Sequence, residues 1–379
     1  MIPGKKIKIV ITGGGTGGHV FPLVAFVREA RKFFEDLNFL PVFYYLGPVN
    51  ELTRKVFQRE GVKIFSVFSG KIRRYLTFSS VFLNFLDFFK ILLGFFQSLF
   101  LLFFIWPKFI FSKGGFGSFP VCLAGKIYQR KIFLHESDSV LGLANRILAK
   151  FSKLVFVSFE ETKVVPPSKK VFVGNIVRKK ILEGDKERAK EKFPLVGDKK
   201  IILILGGSQG AQRINERIFE SINLFLENFE LLHQVGPKNL AQAKALAEFL
   251  VKPELKKYYH PFGFLEEEDL ADALCVSDLI ISRAGAGAIF EIASVGKPSI
   301  LIPLKESAQN HQLQNAYSFA KKGACIVIEE ENFTSRFLFE ITSTLLSDEK
   351  KLKEMVEAAK NFAPKNTLEL ILKEIFRSI

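Results

Sequence analysis

Cysteine is scarce in this chain: only Cys122, Cys275 and Cys325 occur among 379 residues, and they lie far apart. That spacing excludes a disulfide framework and a Cys-x-x-Cys metal site, and it fits a protein of the reducing cytosol. Acidic residues are also few, 39 against 54 lysines and arginines, which leaves a formal net charge of +15. Such an excess favours phosphates, nucleic acid or an anionic membrane surface as partners.

The sequence has no periodic repeat and no low-complexity tract, which excludes solenoid folds and wholesale disorder. Apolar residues make up 48% of the chain, enough for a large buried core. Short apolar runs alternate with stretches of helical periodicity, a pattern typical of α/β folds with parallel sheets. The predicted strands cover residues 6–11, 42–46, 62–67, 109–112, 132–135, 154–158, 200–205 and 279–282.

A unit of strand, glycine loop and helix begins at residue 6 and recurs at residue 200. This recurrence predicts two Rossmann-like domains in tandem. Pro166 and Pro167 mark the predicted boundary, so the first domain covers residues 1–166 and the second covers residues 167–359. A terminal helix at about residues 360–379 is a candidate to pack back on the first domain.

Four glycine-rich loops follow predicted strands, at residues 13–18, 113–118, 206–210 and 283–288. Such turns present backbone N–H groups at a helix N-terminus, where the helix dipole favours an anion. Gly13, Gly15 and Gly18 satisfy G-x-G-x-x-G, but the second strand ends without the acid that would bind a dinucleotide's ribose. The loops also lack the Gly-Lys-Ser/Thr of a P-loop. These absences argue against a nicotinamide or flavin enzyme and against an ATPase.

Glu291 lies about one turn into the helix that follows the loop at residues 283–288. A carboxylate there can accept two hydrogen bonds from a ribose diol, or it can compensate the helix dipole as a surface acid. Spacing alone leaves both interpretations open.

Further motifs accompany these loops in a fixed order. They are His135-Glu136-Ser137-Asp138, Gly174-Asn175-Ile176-Val177-Arg178, and a final group at residues 296–303, 310–312 and 315–316. Together with the loops, they resemble the MurG family of peptidoglycan N-acetylglucosaminyltransferases. The resemblance implies the GT-B fold, in which two Rossmann-like domains with parallel sheets face each other across a cleft.

The resemblance also implies the reaction and its partners. N-acetylglucosamine passes from UDP-GlcNAc, with inversion, to the C4 hydroxyl of the MurNAc of lipid I (undecaprenyl-diphospho-MurNAc-pentapeptide), which gives lipid II. The expected partners are UDP-GlcNAc, lipid I and an anionic membrane surface, without nucleic acid, metal or another cofactor. The expected location is peripheral, on the cytoplasmic face of the cell membrane.

Site residues follow from the resemblance, position by position. The loop around Ser208 and the side chain of Arg178 are expected at the donor diphosphate, Glu291 at the ribose and Leu265 at the uracil. Further donor contacts are expected from Thr16, Gly17, Gly18, Asp138 and Gln312. The acceptor diphosphate is expected at Gly14, Gly15, Gly115 and Gly117.

Two positions depart from the family pattern. The family usually has Gln-Asn where this chain has Ser137 and Asp138, and a hydroxyl residue is common where Ala288 stands. An ionised carboxylate accepts hydrogen bonds but cannot donate them, unlike an amide. A donor-phosphate contact at Ala288 must come from the backbone.

The reaction needs a base for the acceptor hydroxyl, and His19 is the candidate because imidazole titrates near working pH. The alternative is that His19 binds an acceptor phosphate or supports its own loop. Glu136 is a weaker candidate base, and His135 is interpreted as structural.

Residues 76–106 hold an extreme density of phenylalanine. Their polar residues form one helical stripe, made of Ser80, Asn84, Asp87, Lys90, Gly94, Gln97 and Ser98. Three interpretations are open: a transmembrane helix, a helix buried in the protein, or a helix lying in one membrane leaflet. Lys71, Arg73 and Arg74 precede the segment and suit anionic headgroups.

Other functions remain as alternatives. Another GT-B enzyme with a different lipid or aglycone acceptor would use the same loops. A nucleotide-dependent oxidoreductase is opposed by the missing ribose acid. A non-enzymatic basic protein that binds nucleic acid or membrane would explain the charge but not the ordered glycine loops.

Overall fold

The computed structural model describes residues 5–71, 78–207 and 209–379, and for residues 78–81 it describes the backbone alone. The chain divides into two compact units. The first joins Met1–Ile176 to Lys365–Ile379, and the second is Val177–Pro364. Both are α/β units built on parallel sheets, so the predicted pair of Rossmann-like domains is confirmed.

The boundary between the units lies ten residues beyond the predicted one at Pro166–Pro167. The reason is a short strand, Lys170–Phe172, which pairs in parallel with Leu154–Val157 and so extends the first sheet. The terminal helix begins at Thr367 rather than at about residue 360, and the chain from Lys365 onward belongs to the first unit.

The first unit contains a seven-stranded parallel sheet in its described part, in the order β3-β2-β1-β4-β5-β6-β7. Its strands are β1 Lys5–Thr12, β2 Phe39–Gly47, β3 Lys63–Ser66, β4 Phe109–Ser112, β5 Lys131–Glu136, β6 Leu154–Val157 and β7 Lys170–Phe172. Its helices are α1 Gly17–Asp36, α2 Glu51–Arg59, α3 Phe78–Ile105, α4 Phe119–Ile127, α5 Leu143–Phe151 and, from the end of the chain, α15 Thr367–Ser378.

Alternating side chains on the strands serve two cores, one on each face of this sheet. Ile9 and Ile11 of β1 pack with α1 and α15 on one face, whereas Val10 packs with α3, α4 and α5 on the other. The hydroxyl of Thr367 donates a 2.7 Å hydrogen bond to the carbonyl of Val173, which fixes the start of α15.

The second unit contains a six-stranded parallel sheet in its described part, in the order β10-β9-β8-β11-β12-β13. Its strands are β8 Lys200–Leu205, β9 Phe229–Gln234, β10 Tyr259–Phe262, β11 Leu279–Ser282, β12 Ser299–Leu301 and β13 Cys325–Val327. Its helices are α6 Lys186–Lys192, α7 Gln212–Glu220, α8 Ile222–Asn228, α9 Leu240–Leu250, α10 Glu267–Val276, α11 Ala286–Val295, α12 His311–Lys321, α13 Ser335–Ser347 and α14 Glu349–Lys360.

The polar stripe of the phenylalanine-rich helix α3 faces the protein at Asp87, Gly94, Gln97 and Ser98, whereas Lys90 is exposed and the side chain of Ser80 lies outside the described residues. Asp87 and Ser98 are buried, and the amide of Gln97 donates to the carbonyl of Ser66 at 2.7 Å and accepts from the N–H of Phe68 at 3.1 Å. Gly94 lets the backbone at Phe68 approach closely, because a Cβ at Gly94 would overlap the Phe68 carbonyl oxygen.

The opposite face of α3 is open to solvent. Seven of its phenylalanines are 58–64% exposed: Phe82, Phe85, Phe88, Phe96, Phe100, Phe103 and Phe104. Within the described residues, Phe82–Ile105 is the one stretch of helix long and apolar enough to cross a membrane, and 22% of its most apolar window is buried. The interpretation of α3 as a helix buried in the protein is therefore wrong, because its phenylalanine face is exposed.

Gly94→Ala should destabilise the first unit by about 2 kcal/mol, because an added methyl group forces the backbone at Phe68 away from α3. Urea unfolding followed by circular dichroism measures the change. Gly142→Ala is the matched control: Gly142 has φ −62°, and among the described residues no atom would lie within 4 Å of its new Cβ. Equal stability of the two variants would contradict the close contact.

Candidate functional sites

Neighbouring central strands bring two glycine loops together in the first unit. β1 pairs directly with β4, and the loops at residues 13–18 and 113–118 leave the carboxyl ends of these strands. The following helices, α1 and α4, pack on opposite faces of the sheet. Loops that diverge in this way open a crevice at the sheet edge, which is where α/β folds bind ligands.

His19 lies between these two loops. Its Nδ1 donates to the carbonyl of Lys113 at 3.3 Å, so Nε2 is the nitrogen left to accept a proton. A Cβ on Gly14 would lie 2.8 Å from the imidazole Cδ2, and one on Gly115 would lie 3.2 Å from Cε1. Burial, and the positive charge of Lys113, lower the pKa of His19 to about 4, so the ring is neutral at pH 7.

A cluster of buried charged side chains lies next to these loops. The ammonium of Lys113 lies 2.6 Å from Nδ1 of His135 and also donates to the hydroxyl of Ser137. Glu136 accepts from the backbone N–H of Asp138 at 3.0 Å. Burial lowers the pKa of Lys113 to about 8 and raises that of Glu136 to about 7. Burial also lowers the pKa of His135, whose Nε2 donates to the carbonyl of Gly174 at 3.2 Å.

Two buried asparagines complete this site, and the sequence did not single out a role for either. Asn145 donates to Glu136 at 2.7 Å and accepts from the N–H of Gly115 at 3.1 Å. Asn175 accepts from the hydroxyl of Ser137 at 3.4 Å. Both asparagines link segments that are distant in sequence. For Asn145, the one feature of the sequence that could have indicated this role is an amide in the first turn of the helix after the His135–Asp138 motif.

The second unit repeats the arrangement. β8 pairs with β11, and the loops at residues 206–210 and 283–288 leave their carboxyl ends side by side. Cβ atoms added at Gly285 and Gly287 would meet no described atom within 4 Å. The N-terminus of α11 is therefore open, and its unpaired N–H groups favour an anion. Ala288 lies within this first turn, where the backbone is the available donor.

Arg178 and Glu291, both predicted for the donor, meet in the second unit. The Nε and Nη2 atoms of Arg178 donate to the same Glu291 oxygen, at 2.9 and 2.7 Å. Burial raises the pKa of Glu291, and the Arg178 guanidinium opposes that rise. The interpretation of Glu291 as an isolated surface acid therefore fails, because its carboxylate is largely buried and paired.

Side-chain amides form hydrogen bonds with the backbone around the other predicted donor residues of the second unit. Gln234 donates to the carbonyl of Gly207 at 2.8 Å and accepts from the N–H of Leu265 at 3.3 Å, so it joins the glycine loop to the predicted uracil contact. Gln312 accepts from the N–H of Leu304 at 3.0 Å, and Asn315 donates to the carbonyl of Ala284 at 3.3 Å. The sequence did not identify Gln234.

The predicted site residues thus fall into two groups. The first unit holds Gly14, Gly15, Thr16, Gly17, Gly18, His19, Gly115, Gly117, Glu136 and Asp138, and the second holds Arg178, Leu265, Glu291 and Gln312. Ser208, predicted at the donor diphosphate, lies outside the described residues.

Comparison with known proteins matches both units to one family. Residues 9–157 match the glycosyltransferase family 28 N-terminal domain, and residues 201–371 match its C-terminal domain. A Treponema denticola protein named UDP-N-acetylglucosamine–N-acetylmuramyl-(pentapeptide) pyrophosphoryl-undecaprenol N-acetylglucosamine transferase is 34% identical, over 98% of each chain. A Clostridium botulinum protein of the same name is 36% identical, over 97% of this chain and 99% of its own. The crystal structure of Acinetobacter baumannii MurG superposes with a TM-score of 0.75 at 25% identity, over 98% of this chain and 99% of its own.

Asn145→Asp should destabilise the protein by about 2 kcal/mol at pH 8 and by much less at pH 5. The new carboxylate would face Glu136, whose folded-state pKa is already raised to about 7 and would rise further. A carboxyl group with a raised pKa loses stability as pH rises, because the folded state binds the extra proton. Urea unfolding at both pH values measures this, with the exposed Asn228→Asp as control. Equal losses at pH 5 and pH 8 would contradict the contact with Glu136.

Proposed function

The chain belongs to glycosyltransferase family 28, in the group that includes MurG, and from this premise we propose how its residues carry out the reaction. The protein is an N-acetylglucosaminyltransferase of peptidoglycan synthesis. It transfers N-acetylglucosamine from UDP-GlcNAc to lipid I and forms lipid II. The observation that carries this function is the match of both units to the family, over nearly the whole chain, to relatives that bear this activity in their names.

The second unit binds the donor. The open N-terminus of α11 and the glycine loop at residues 206–210, with Ser208, bind the diphosphate through backbone N–H groups. Arg178 uses one oxygen of Glu291 and so orients the other toward the ribose diol. Leu265 lines the uracil position through its backbone, and Gln312 contacts the sugar hydroxyls.

The first unit binds the acceptor. Its diphosphate lies on the loops that contain Gly14, Gly15, Gly115 and Gly117, and Thr16 to Gly18 and Asp138 contact the donor sugar. The positive end of α1, which begins at Gly17, adds attraction for the phosphates. The pairing of β1 with β4 brings both loops to one crevice, which supports a shared phosphate site there.

His19 accepts the proton in the transfer step. The oxygen of the MurNAc C4 hydroxyl attacks the anomeric carbon of GlcNAc, and the bond from that carbon to the UDP oxygen breaks with its electron pair. UDP leaves, the configuration inverts, and the hydroxyl proton passes to Nε2 of His19. The hydrogen bond from Nδ1 to the Lys113 carbonyl supports this role because it fixes the tautomer. The lowered pKa of His19, about 4, keeps the ring unprotonated at working pH, and it also corrects the expectation that this imidazole titrates near working pH.

The outer face of α3 binds the membrane. A lipid-linked acceptor keeps its phosphates at the bilayer surface, so the enzyme must work there. The exposed phenylalanines suit the acyl region, while Lys71 at one end suits anionic headgroups. Arg73 and Arg74, predicted for the same role, lie outside the described residues. At the other end, Trp106 is 51% exposed and lies under the guanidinium of Arg130, at 4.3 Å from its ring centroid.

Release of UDP from UDP-GlcNAc should require a lipid I analogue, and two variants should separate the roles of the units. His19→Ala should lower kcat by about 100-fold with little change in the KM for UDP-GlcNAc, because it removes a proton acceptor. Glu291→Gln should raise the KM for UDP-GlcNAc by about 10-fold, because it weakens a charge-assisted hydrogen bond to the ribose. An unchanged rate in His19→Ala would remove its role as base, and UDP release independent of the acceptor would overturn the proposed transfer.

The single tryptophan, Trp106, reports directly on the membrane contact. Its fluorescence should shift to shorter wavelength with anionic phosphatidylglycerol vesicles, and less with phosphatidylcholine, because insertion removes water from the ring. A Phe82→Ser/Phe85→Ser/Phe89→Ser variant should lose the shift. Phe249→Ser, a change at an 87% exposed phenylalanine in the second unit, is the control. An equal response of the triple variant and the wild type would count against α3 as the contact.

A further inference from the structure

Lys113 is the first residue of the loop at residues 113–118, and it is almost completely buried, with 2% exposure. It follows β4, and its backbone N–H donates to the carbonyl of Thr12 at 2.8 Å, so its position is fixed to the centre of the sheet. A buried ammonium is costly unless hydrogen bonds and opposite charges compensate it. The hydrogen bonds come from His135 and Ser137.

The compensating charges come from Glu136 and Asp138. Both carboxylates lie within electrostatic reach of Lys113, and they also repel each other. Two carboxylates beside one ammonium leave the cluster with a net negative charge when all three are ionised. Asp138 occupies the position at which the family pattern has an uncharged amide, so this cluster holds one carboxylate more than that pattern.

The same lysine also fixes the candidate base, through its backbone. The Lys113 carbonyl accepts from Nδ1 of His19, while the Lys113 ammonium holds the Ser137–Asp138 segment. From there the network continues to Gly174 and Asn175 through His135 and Ser137. One residue thus connects the base, the predicted sugar-contacting segment and the end of the first unit.

We propose that Lys113 is a positioning residue of the acceptor site: its carbonyl holds the His19 ring, and its buried ammonium, bonded to His135 and Ser137, holds the segment that carries Glu136 and Asp138. The proposal rests on the proposed transferase function. Lys113 does not touch the reacting atoms and acts through the residues it holds. Its positive charge faces the carboxylates of Glu136 and Asp138, so removal of the Asp138 charge should offset part of the effect of removing the ammonium.

The direction of the pH effect follows from the groups that face Lys113, which are His19, His135, Glu136 and Asp138. A positive charge lowers the pKa of every neighbour, whether acid or base. Removing it therefore raises the pKa of His19 and of Glu136, and the acid limb of the rate profile moves to higher pH. Removing the charge of Asp138 moves these pKa values back down.

The test compares Lys113→Met, Asp138→Asn and the double variant with wild type, using kcat/KM for a lipid I analogue from pH 3.5 to pH 9, a range that includes the pKa of about 4 for His19. Lys113→Met removes the charge, keeps most of the length of the side chain, and should shift the acid limb upward by about one pH unit. The double variant should return the limb toward its wild-type position and recover part of the rate. Lys55→Met, a change of an exposed lysine on α2, should leave the profile unchanged.

Thermal unfolding supplies a readout that does not depend on activity. The melting temperature of Lys113→Met relative to wild type should fall further at pH 7.5 than at pH 5.5, because Glu136 binds its proton more tightly in the folded variant. In the double variant, the loss of melting temperature should differ less between pH 7.5 and pH 5.5. Should the wild type show no transfer, the proposed function fails while this measurement still tests the charge pair. A rate loss equal at every pH, or an acid limb that Asp138→Asn does not restore, would reduce Lys113 to a packing residue and overturn the proposal.

Discussion

Glycine loops that present backbone N–H groups at the carboxyl ends of two parallel sheets are the constraint on which this structure depends. Parallel strands β1 and β4 send their helices to opposite faces, and β8 and β11 place two further loops side by side. Each crevice is therefore lined by amide dipoles before any side chain is considered. A strongly basic chain, with a formal net charge of +15, strengthens the attraction for phosphorylated substrates.

Side chains then give each crevice its chemistry. In the second unit, one carboxylate and one guanidinium pair so that charge is balanced without a ligand. In the first unit, the buried side chains of Lys113, His135 and Glu136 lie close to Asp138 and His19, which are partly exposed. Burial disfavours every charge there, and the pKa values of Lys113 and Glu136 approach each other, to about 8 and about 7.

Much of this could be predicted from the sequence, for local reasons. Glycine loops after apolar runs locate both sheet edges, and the polar stripe of α3 follows from helical periodicity. What could not be predicted depends on residues distant in sequence. Asn145 meets Gly115 across 30 positions, and Gln234 meets Gly207 across 27. Helical periodicity also does not say which face of α3 packs on the protein. The polar face does so because Gln97 hydrogen-bonds to the backbone of Phe68 and Gly94 leaves room for that backbone. The domain boundary differs from the predicted one for the same reason, since β7 pairs with β6 and so belongs to the first sheet.

The return of α15 to the first unit has a consequence for biosynthesis. Ile371, Leu372 and Ile375 are fully buried in the same core as Ile9 and Phe26. While the ribosome is still making the second unit, the first has a bare apolar surface where α15 belongs. Its folding cannot finish during translation of its own N-terminal segment, and that surface needs protection until residues 367–378 emerge from the exit tunnel.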